Sequence, residues 1–345
     1  MRLLLYTGKG GVGKTTTAAA TAVCAAERGR RTLVVSADAA HSLGDVFERR
    51  LGPEPIELAP RLAASEIDPR AEMQQHWGRI RDYLVLMFRH QGIEDVVAEE
   101  LAQLPGTEEI TTLLAVERHA TSGRYDLVIV DCAPTDSALR LATLPEVAHR
   151  ALRLLLPTLQ ALTRIGTPVA QKLVSTPLPR AEVFRDAETL IFDKLTTLRA
   201  RITHPTTSVR IVVTPERMVI DEARRAYTEL SLFEVPCDAV VMNRLLPGEA
   251  AREPFFQHWG RVQDERCREV EELFAPLALL RAPLLDDEAT GCERLAELGR
   301  KLFEKGEPDD RLGRSERVRY GRDAAGYFAQ IPLPNASADD VDVVV

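Results

Sequence analysis

The sequence predicts an α/β fold: a doubly wound, mostly parallel sheet with an inserted helical subdomain and a short C-terminal β-like tail. Three observations lead there. Short apolar runs bounded by turn signals recur along the chain. Segments with helical spacing lie between them, and strands alternating with helices build a parallel sheet. A glycine-rich turn joins the first apolar run to the first helical pattern, as in sheets that bind a ligand at their strand ends.

Taken in order, Leu3–Tyr6, Leu33–Val35, Leu127–Val130, Val209–Val213 and Ala239–Met242 are continuous apolar runs. A strand buried on both faces has this unbroken pattern rather than an alternating one. Thr15–Glu27, Asp136–Leu144 and Pro215–Leu230 carry helical spacing, the last with proline at the first helical position. Residues 69–122 and 151–203 interrupt the alternation with long helix-patterned stretches. In the second, Leu152, Leu155, Leu156, Leu159 and Leu162 recur at helical intervals, and Ile165 and Leu173 continue the apolar content. These inserts either present an apolar surface to a partner or pack on each other. The main domain spans residues 1–304. A charged linker at 305–322 leaves it, and a tail at 323–345 carries two β-like runs, Tyr327–Ile331 and Val341–Val345. The tail is similar to the start of an α-crystallin-like β-sandwich, cut short; otherwise it pairs elsewhere or is disordered.

Composition narrows the function class. With 345 residues, 45% hydrophobic and 28% charged, the chain can bury a large core in one main domain with appendages. A formal net charge of -8 disfavours nucleic acid and anionic lipid as partners. The five cysteines form no C-x-x-C pair, and the first apolar run is too short for a signal peptide. No stretch is apolar enough for an integral membrane segment. Together these predict a cytoplasmic protein whose membrane role, if any, is peripheral.

The turn after the first strand reads Gly8-Lys9-Gly10-Gly11-Val12-Gly13-Lys14-Thr15-Thr16. Glycines at this spacing let successive backbone N–H groups point inward at phosphates, with the positive end of the next helix behind them. Lys14 adds a point charge to the β and γ oxygens, and Thr15 offers a hydroxyl to Mg²⁺. The expected ligands are therefore ATP and Mg²⁺. Leu127–Val130 ends in Asp131, a carboxylate at a strand terminus placed to hold the water shell of that metal.

The second lysine, Lys9, resembles the deviant Walker A loop of dimeric ATPases that include the arsenical pump-driving ATPases, the MinD and ParA groups and the nitrogenase iron protein. That resemblance implies a homodimer in which Lys9 reaches the phosphates of the neighbouring subunit. Ser36-Ala37-Asp38-Ala39-Ala40-His41-Ser42 through Phe47 resembles switch I of the arsenical pump-driving and tail-anchored-protein-targeting ATPases. Asp38, His41 and Asp45 keep its pattern; Ala39 and Ser42 depart from it. Asp38 is expected to orient the attacking water, or else to cap the next helix. Asp131-Cys132-Ala133-Pro134-Thr135 is similar to switch II, with Asp136 and Ser137 in place of a Gly-His pair. Glu216 resembles the family's nucleotide-contacting glutamate and Asn243 its adenine-reading asparagine, an amide offering both donor and acceptor. Pro283, with Leu284, Leu285 and Gly291, is similar to the loop over the base. The resemblance spans about residues 1–304.

What it implies for the job is an ATPase that couples nucleotide-driven closure to binding or release of a hydrophobic membrane-protein client. The alternative is the energising subunit of an arsenite or oxyanion exporter, which would need converging thiolates. A MinD- or ParA-like positioning ATPase fits the acidic balance least well. The shared C-x-x-C zinc clip of the eukaryotic tail-anchored branch cannot form here, because after Asn243 the sequence offers Phe255, Phe256, His258 and Trp259 with only the isolated Cys267 and Cys292 beyond them, and an aromatic dimer contact could replace it.

Overall fold

In the computed structural model, which describes residues 1–38, 42–101, 107–132, 182–183, 186, 189–316, 318–323 and 326–334, all five apolar runs are strands. Strand β1 (Arg2–Thr7) leads into α1 (Lys14–Glu27), followed by β2 (Thr32–Ala37), α2 (Ser42–Phe47), β3 (Ile56–Ala59) and β4 (Leu62–Glu66). Helices α3 (Pro69–His90), α4 (Asp95–Leu101) and α5 (Thr107–Thr121) precede β5 (Leu127–Cys132). Beyond it come α6 (Leu195–Ile202), β6 (Thr207–Val213), α7 (Arg217–Leu232), β7 (Cys237–Leu245), α8 (Gly248–Arg252), α9 (Gln257–Leu273), β8 (Ala278–Pro283), α10 (Gly291–Leu302), β9 (Arg319–Asp323) and β10 (Gly326–Gln330).

Eight strands form one sheet in the order β3-β4-β2-β5-β1-β6-β7-β8, parallel except for β3, which runs antiparallel to β4. β5 and β6 are buried at every residue, as their unbroken apolar sequences require. The chain crosses from β1 outward to β2 and β4, and β6 to β8 extend the other side. β1 therefore stands where the winding reverses, and its C-terminal end opens into the crevice such sheets use for ligands. Strands β3, β4 and β8 lack a long apolar run. Leu62-Ala-Ala-Ser-Glu66 is built of small residues, and β8 is interrupted by Arg281.

Contacts divide the chain into two units, Met1–Ile67 with Arg118–Leu139 and Ile202–Val345, and Asp68–Glu117 with Arg140–Arg201. In the first, α1 is an alanine-rich helix that lets α10 approach closely. A Cβ on Gly299 would lie 2.6 Å from the Ala20 carbonyl oxygen and 2.8 Å from Cys24 Cβ. In the second, Val85 of α3 and Ala98 of α4 are buried together, with Leu84, Phe88 and Ile93 packed against them. Leu86, Val96 and Val97 of the same pair are exposed, and Arg201 Nε donates to Glu117 Oε2 at 3.0 Å. Residues 133–181, which include the expected Asp136–Leu144 helix and the leucine-rich part of the second insert, lie outside the described residues.

Two expectations differ from the structure, and one open alternative is decided by it. Pro215 is not the first helical residue: α7 starts at Arg217 with Glu216 as its N-cap, so the proline ends the strand-to-helix turn instead. The stretch read as a linker is docked on the sheet through its backbone. Arg2 Nε donates to the Asp309 carbonyl at 3.2 Å, and Arg210 Nη2 to the Asp310 carbonyl at 3.0 Å. Ser315 exchanges bonds with Cys237, its N–H donating to the Cys237 carbonyl and its Oγ accepting from the Cys237 N–H. These partners are remote in sequence, so a scan for local apolar pattern has no access to them. Finally, Tyr327–Gln330 does find a strand partner. It belongs to β10, which pairs antiparallel with β9, a strand lying largely inside the stretch read as linker. Val341–Val345 lies outside the described residues.

Beneath the docked segment, Arg210 and Asp238 are both fully buried and paired at 3.2 Å, with Arg2 on the same carboxylate at 2.9 Å. Arg210 also donates to Tyr6 Oη at 3.3 Å and lies over the Phe303 ring. Both Asp238 oxygens accept from Arg210 and all three Arg210 nitrogens donate, so the two fully buried charges are paired, which is the condition for burying charge at tolerable cost.

Candidate active site

The turn after β1 has the backbone its glycines imply. Gly13 caps α1 in the left-handed region, φ 93 and ψ 32, with no side-chain hydrogen bond to the first turn. The leading N–H groups of α1 thus face an anion rather than a capping side chain. A Cβ at Gly13 would sit 2.2 Å from Asn243 Nδ2, and one at Gly8 (φ 148) 2.3 Å from the Val212 carbonyl oxygen. Both glycines allow the turn to lie directly against β6 and β7. Thr17 Oγ1 donates to the Gly13 carbonyl at 2.9 Å, tying the turn to the helix.

Lys14 is 6% exposed and its Nζ donates to the Lys9 carbonyl at 3.3 Å, so the ammonium bends back across the turn. Lys9 itself points outward, half-exposed, with Nζ 3.1 Å from Glu222 Oε2 of α7. Thr15 Oγ1 lies 3.0 Å from Ser42 Oγ at the start of α2. Gly10, Gly11, Val12 and Thr16 complete the turn, Val12 buried and Gly10 and Gly11 exposed.

Asp131 stands at the end of β5, in register with Tyr6 of β1 and Ser36 of β2. Its side chain is fully buried, and neither carboxylate oxygen has a hydrogen-bond partner among the described residues. Burial pushes its pKa up to about 6; the Thr15 hydroxyl and Lys14 ammonium pull the other way, and the Asp38 charge adds to the rise. A buried carboxylate with unmatched acceptors beside a threonine hydroxyl suits a hydrated, oxygen-preferring cation, so this donor set fits Mg²⁺. Asp38 follows β2, half-buried, its N–H donating to Ser36 Oγ at 3.4 Å. His41, and the switch-like residues 133–145, lie outside the described residues. The adjacent Cys132 thiol is held at about 12 by burial, next to Asp131.

A cleft of about 930 Å³ continues from the turn, lined among others by Gly13, Thr16, Asn243, Pro283, Leu284 and Leu285. Asn243 is buried on β7 and donates Nδ2 to the Val12 carbonyl at 2.8 Å, which braces the turn and leaves its second N–H and its oxygen for the cleft. Glu216 is exposed at the head of α7, accepts from Thr214 Oγ1 at 3.4 Å and, like Asp38, is not part of the cleft lining. Residues given no role from sequence also meet the site: Ser42 on Thr15, Glu222 on Lys9, and Glu48, Arg244, Asp287 and Glu288 in the cleft lining. Ser42 carried a faint signal, a hydroxyl at a helix start where the family pattern differs. The others meet the site only through the fold.

Comparison with known proteins agrees with this geometry. Residues 1–304 match the family model described as anion-transporting ATPase. A protein of Aquifex aeolicus named arsenical pump-driving ATPase 1 is 33% identical, over 100% of this chain and 89% of its own length. The ATPase get3 of Neurospora crassa is 30% identical, over 88% of this chain and 90% of its own. A phosphate-binding turn at the winding reversal, an isolated buried aspartate beside it and a family match across that whole domain identify the chain as an ATPase belonging to the anion-transporting ATPase family.

Proposed function

We propose that this chain works as a homodimeric MgATPase that couples ATP-driven closure to binding or release of a hydrophobic membrane-protein client. The observation that carries the dimer is the direction of Lys9. Its backbone is part of the phosphate turn, yet its ammonium lies part-exposed on Glu222 of α7, while the Lys14 ammonium bends back over the turn. A second positive charge displayed outward from a phosphate loop suits the phosphates of another subunit.

Within each subunit, the turn's N–H groups and Lys14 bind the β- and γ-phosphates. Thr15 and Asp131 hold Mg²⁺, which supplies charge neutralisation at the phosphate oxygens when bound. Asp38, at the mouth of β2 on the same side as Asp131, orients the attacking water. Asn243, Pro283 and Leu284 receive the base. The client reading is supported by the exposed Leu86, Val96 and Val97 of the helical unit and by the resemblance of the switch I segment to the tail-anchored-protein-targeting ATPases.

The other reading, an energising subunit for arsenite or oxyanion export, follows the name of the Aquifex relative. It gains little from the thiols: Cys24, Cys132, Cys237 and Cys267 are buried and stand on different elements, α1, β5, β7 and α9. Steady-state ATPase measured alone, with arsenite or antimonite, and with a hydrophobic transmembrane peptide separates the two. Stimulation by the peptide alone is expected; stimulation by metalloid alone would replace the client reading with the export one.

A further inference from the structure

Arg244 follows Asn243 in a strand, and adjacent strand residues normally face opposite sides of the sheet. Here they do not. On β7 the register against β8 runs from Met242 paired with Arg281 to Leu245 paired with Pro283, three steps on one strand against two on the other. The extra residue is a bulge, and Arg244 takes it up with φ 59, left-handed backbone that a side chain rarely adopts. The result is that Asn243 and Arg244 both line the 930 Å³ cleft.

The bulge is held from both sides. Leu284 N–H donates to the Leu245 carbonyl at 2.7 Å. Gln263 of α9 grips Leu246, accepting from its N–H at 2.7 Å and donating to its carbonyl at 3.2 Å. A strained non-glycine residue that its surroundings over-determine, beside a ligand cleft, is where function is expected. Asp45, Glu48, Asp287 and Glu288 share the lining, so the remaining charge of this cleft is acidic. Arg244 is exposed in it and has no ion-pair partner among the described residues.

We propose that Arg244 is a specificity-determining residue that stacks its guanidinium plane on the nucleobase, opposite the apolar wall of Pro283, Leu284 and Leu285. This rests on the nucleotide site placed above. A planar, weakly hydrated cation packs on an aromatic face where an ammonium does so less well. The phosphates are already served by the turn and Lys14. Arg244 therefore acts on the base, and the acidic lining keeps it from becoming a second phosphate clamp.

The test is titration calorimetry of Mg-ATP and of Mg-tripolyphosphate, which lacks base and ribose, into wild type, Arg244→Gly, Arg244→Lys and Lys14→Ala. Glycine suits φ 59, so Arg244→Gly is expected to fold with an unchanged or higher Tm. Its affinity for ATP should fall about 5- to 20-fold while that for tripolyphosphate stays within about twofold. Arg244→Lys should recover only a minor part of the ATP affinity. Equal weakening of both ligands, full recovery by lysine, or no change in ATP affinity would each overturn the stacking role. If Lys14→Ala binds both ligands like wild type, the nucleotide site itself is misplaced and the inference falls with it.

Discussion

In the proposed mechanism Lys14 and Asp38 divide the work of the turn by position. Lys14 is enclosed over the turn, so its charge is in place before any nucleotide arrives; Lys14→Ala is expected to abolish ATP binding in equilibrium titration. Asp38 stands one strand away from the turn and contributes nothing to its backbone, so Asp38→Asn should keep ATP affinity within a few-fold. Its turnover should fall by about 100-fold or more, the scale on which a positioned catalytic carboxylate acts. Normal turnover in the asparagine variant would remove Asp38 from the mechanism. Asp131 shows what the sequence could and could not say. A carboxylate ending an apolar run was legible at the strand terminus, but that neither of its oxygens has a hydrogen-bond partner among the described residues depended on β1 and β2 closing over it. Asn243 was legible only in part. Its amide type suits a base, yet one N–H is engaged by the Val12 carbonyl, 231 residues away in sequence.

At the level of strands and helices, the buried pair on β6 and β7 joins the sheet to the segment after α10. Asp238 is shared by Arg210 and Arg2, and both arginines also hold the carbonyls of Asp309 and Asp310. Removing the carboxylate leaves two guanidinium groups without their counter-charge in the interior. Asp238→Ala should therefore lose about 3–5 kcal/mol of stability, read as a fall in the denaturant midpoint. A loss below about 1 kcal/mol would mean that solvent reaches the pair. The site lies at the other end of the same strands, so ATP affinity per folded molecule is expected to persist. The five long apolar runs were readable as strands because burial on both faces leaves no polar alternation. β3, β4 and β8 were not, since small residues and an internal arginine erase the pattern while sheet hydrogen bonds still form.

For the whole molecule, the proposed dimer makes catalysis a property of two subunits, each receiving Lys9 from the other. Mixing Lys9→Ala with Asp38→Asn should restore activity that neither variant has alone, because in each mixed dimer one site keeps its own Asp38 and receives Lys9 from the other subunit. With random pairing this amounts to roughly a quarter of wild-type turnover. Mixtures no more active than the separate variants would place Lys9 in cis. Its bridge to Glu222 is half-exposed and so worth little, which lets the lysine leave it when a second subunit approaches.

By itself the sequence determined the ATPase class and five of the sheet's eight strands: a glycine-lysine turn between an apolar run and a helix, a terminal aspartate, and alternating elements whose periodicity is local. Only the tertiary structure decided that residues 305–315 dock under the sheet, that β9 pairs with β10, and that a bulge brings Arg244 into the cleft beside Asn243. The reason is the range of the forces involved. Burial pattern and turn chemistry are written in neighbouring residues. Backbone docking, register shifts and buried ion pairs join residues far apart in the chain, and they take their partners from the fold.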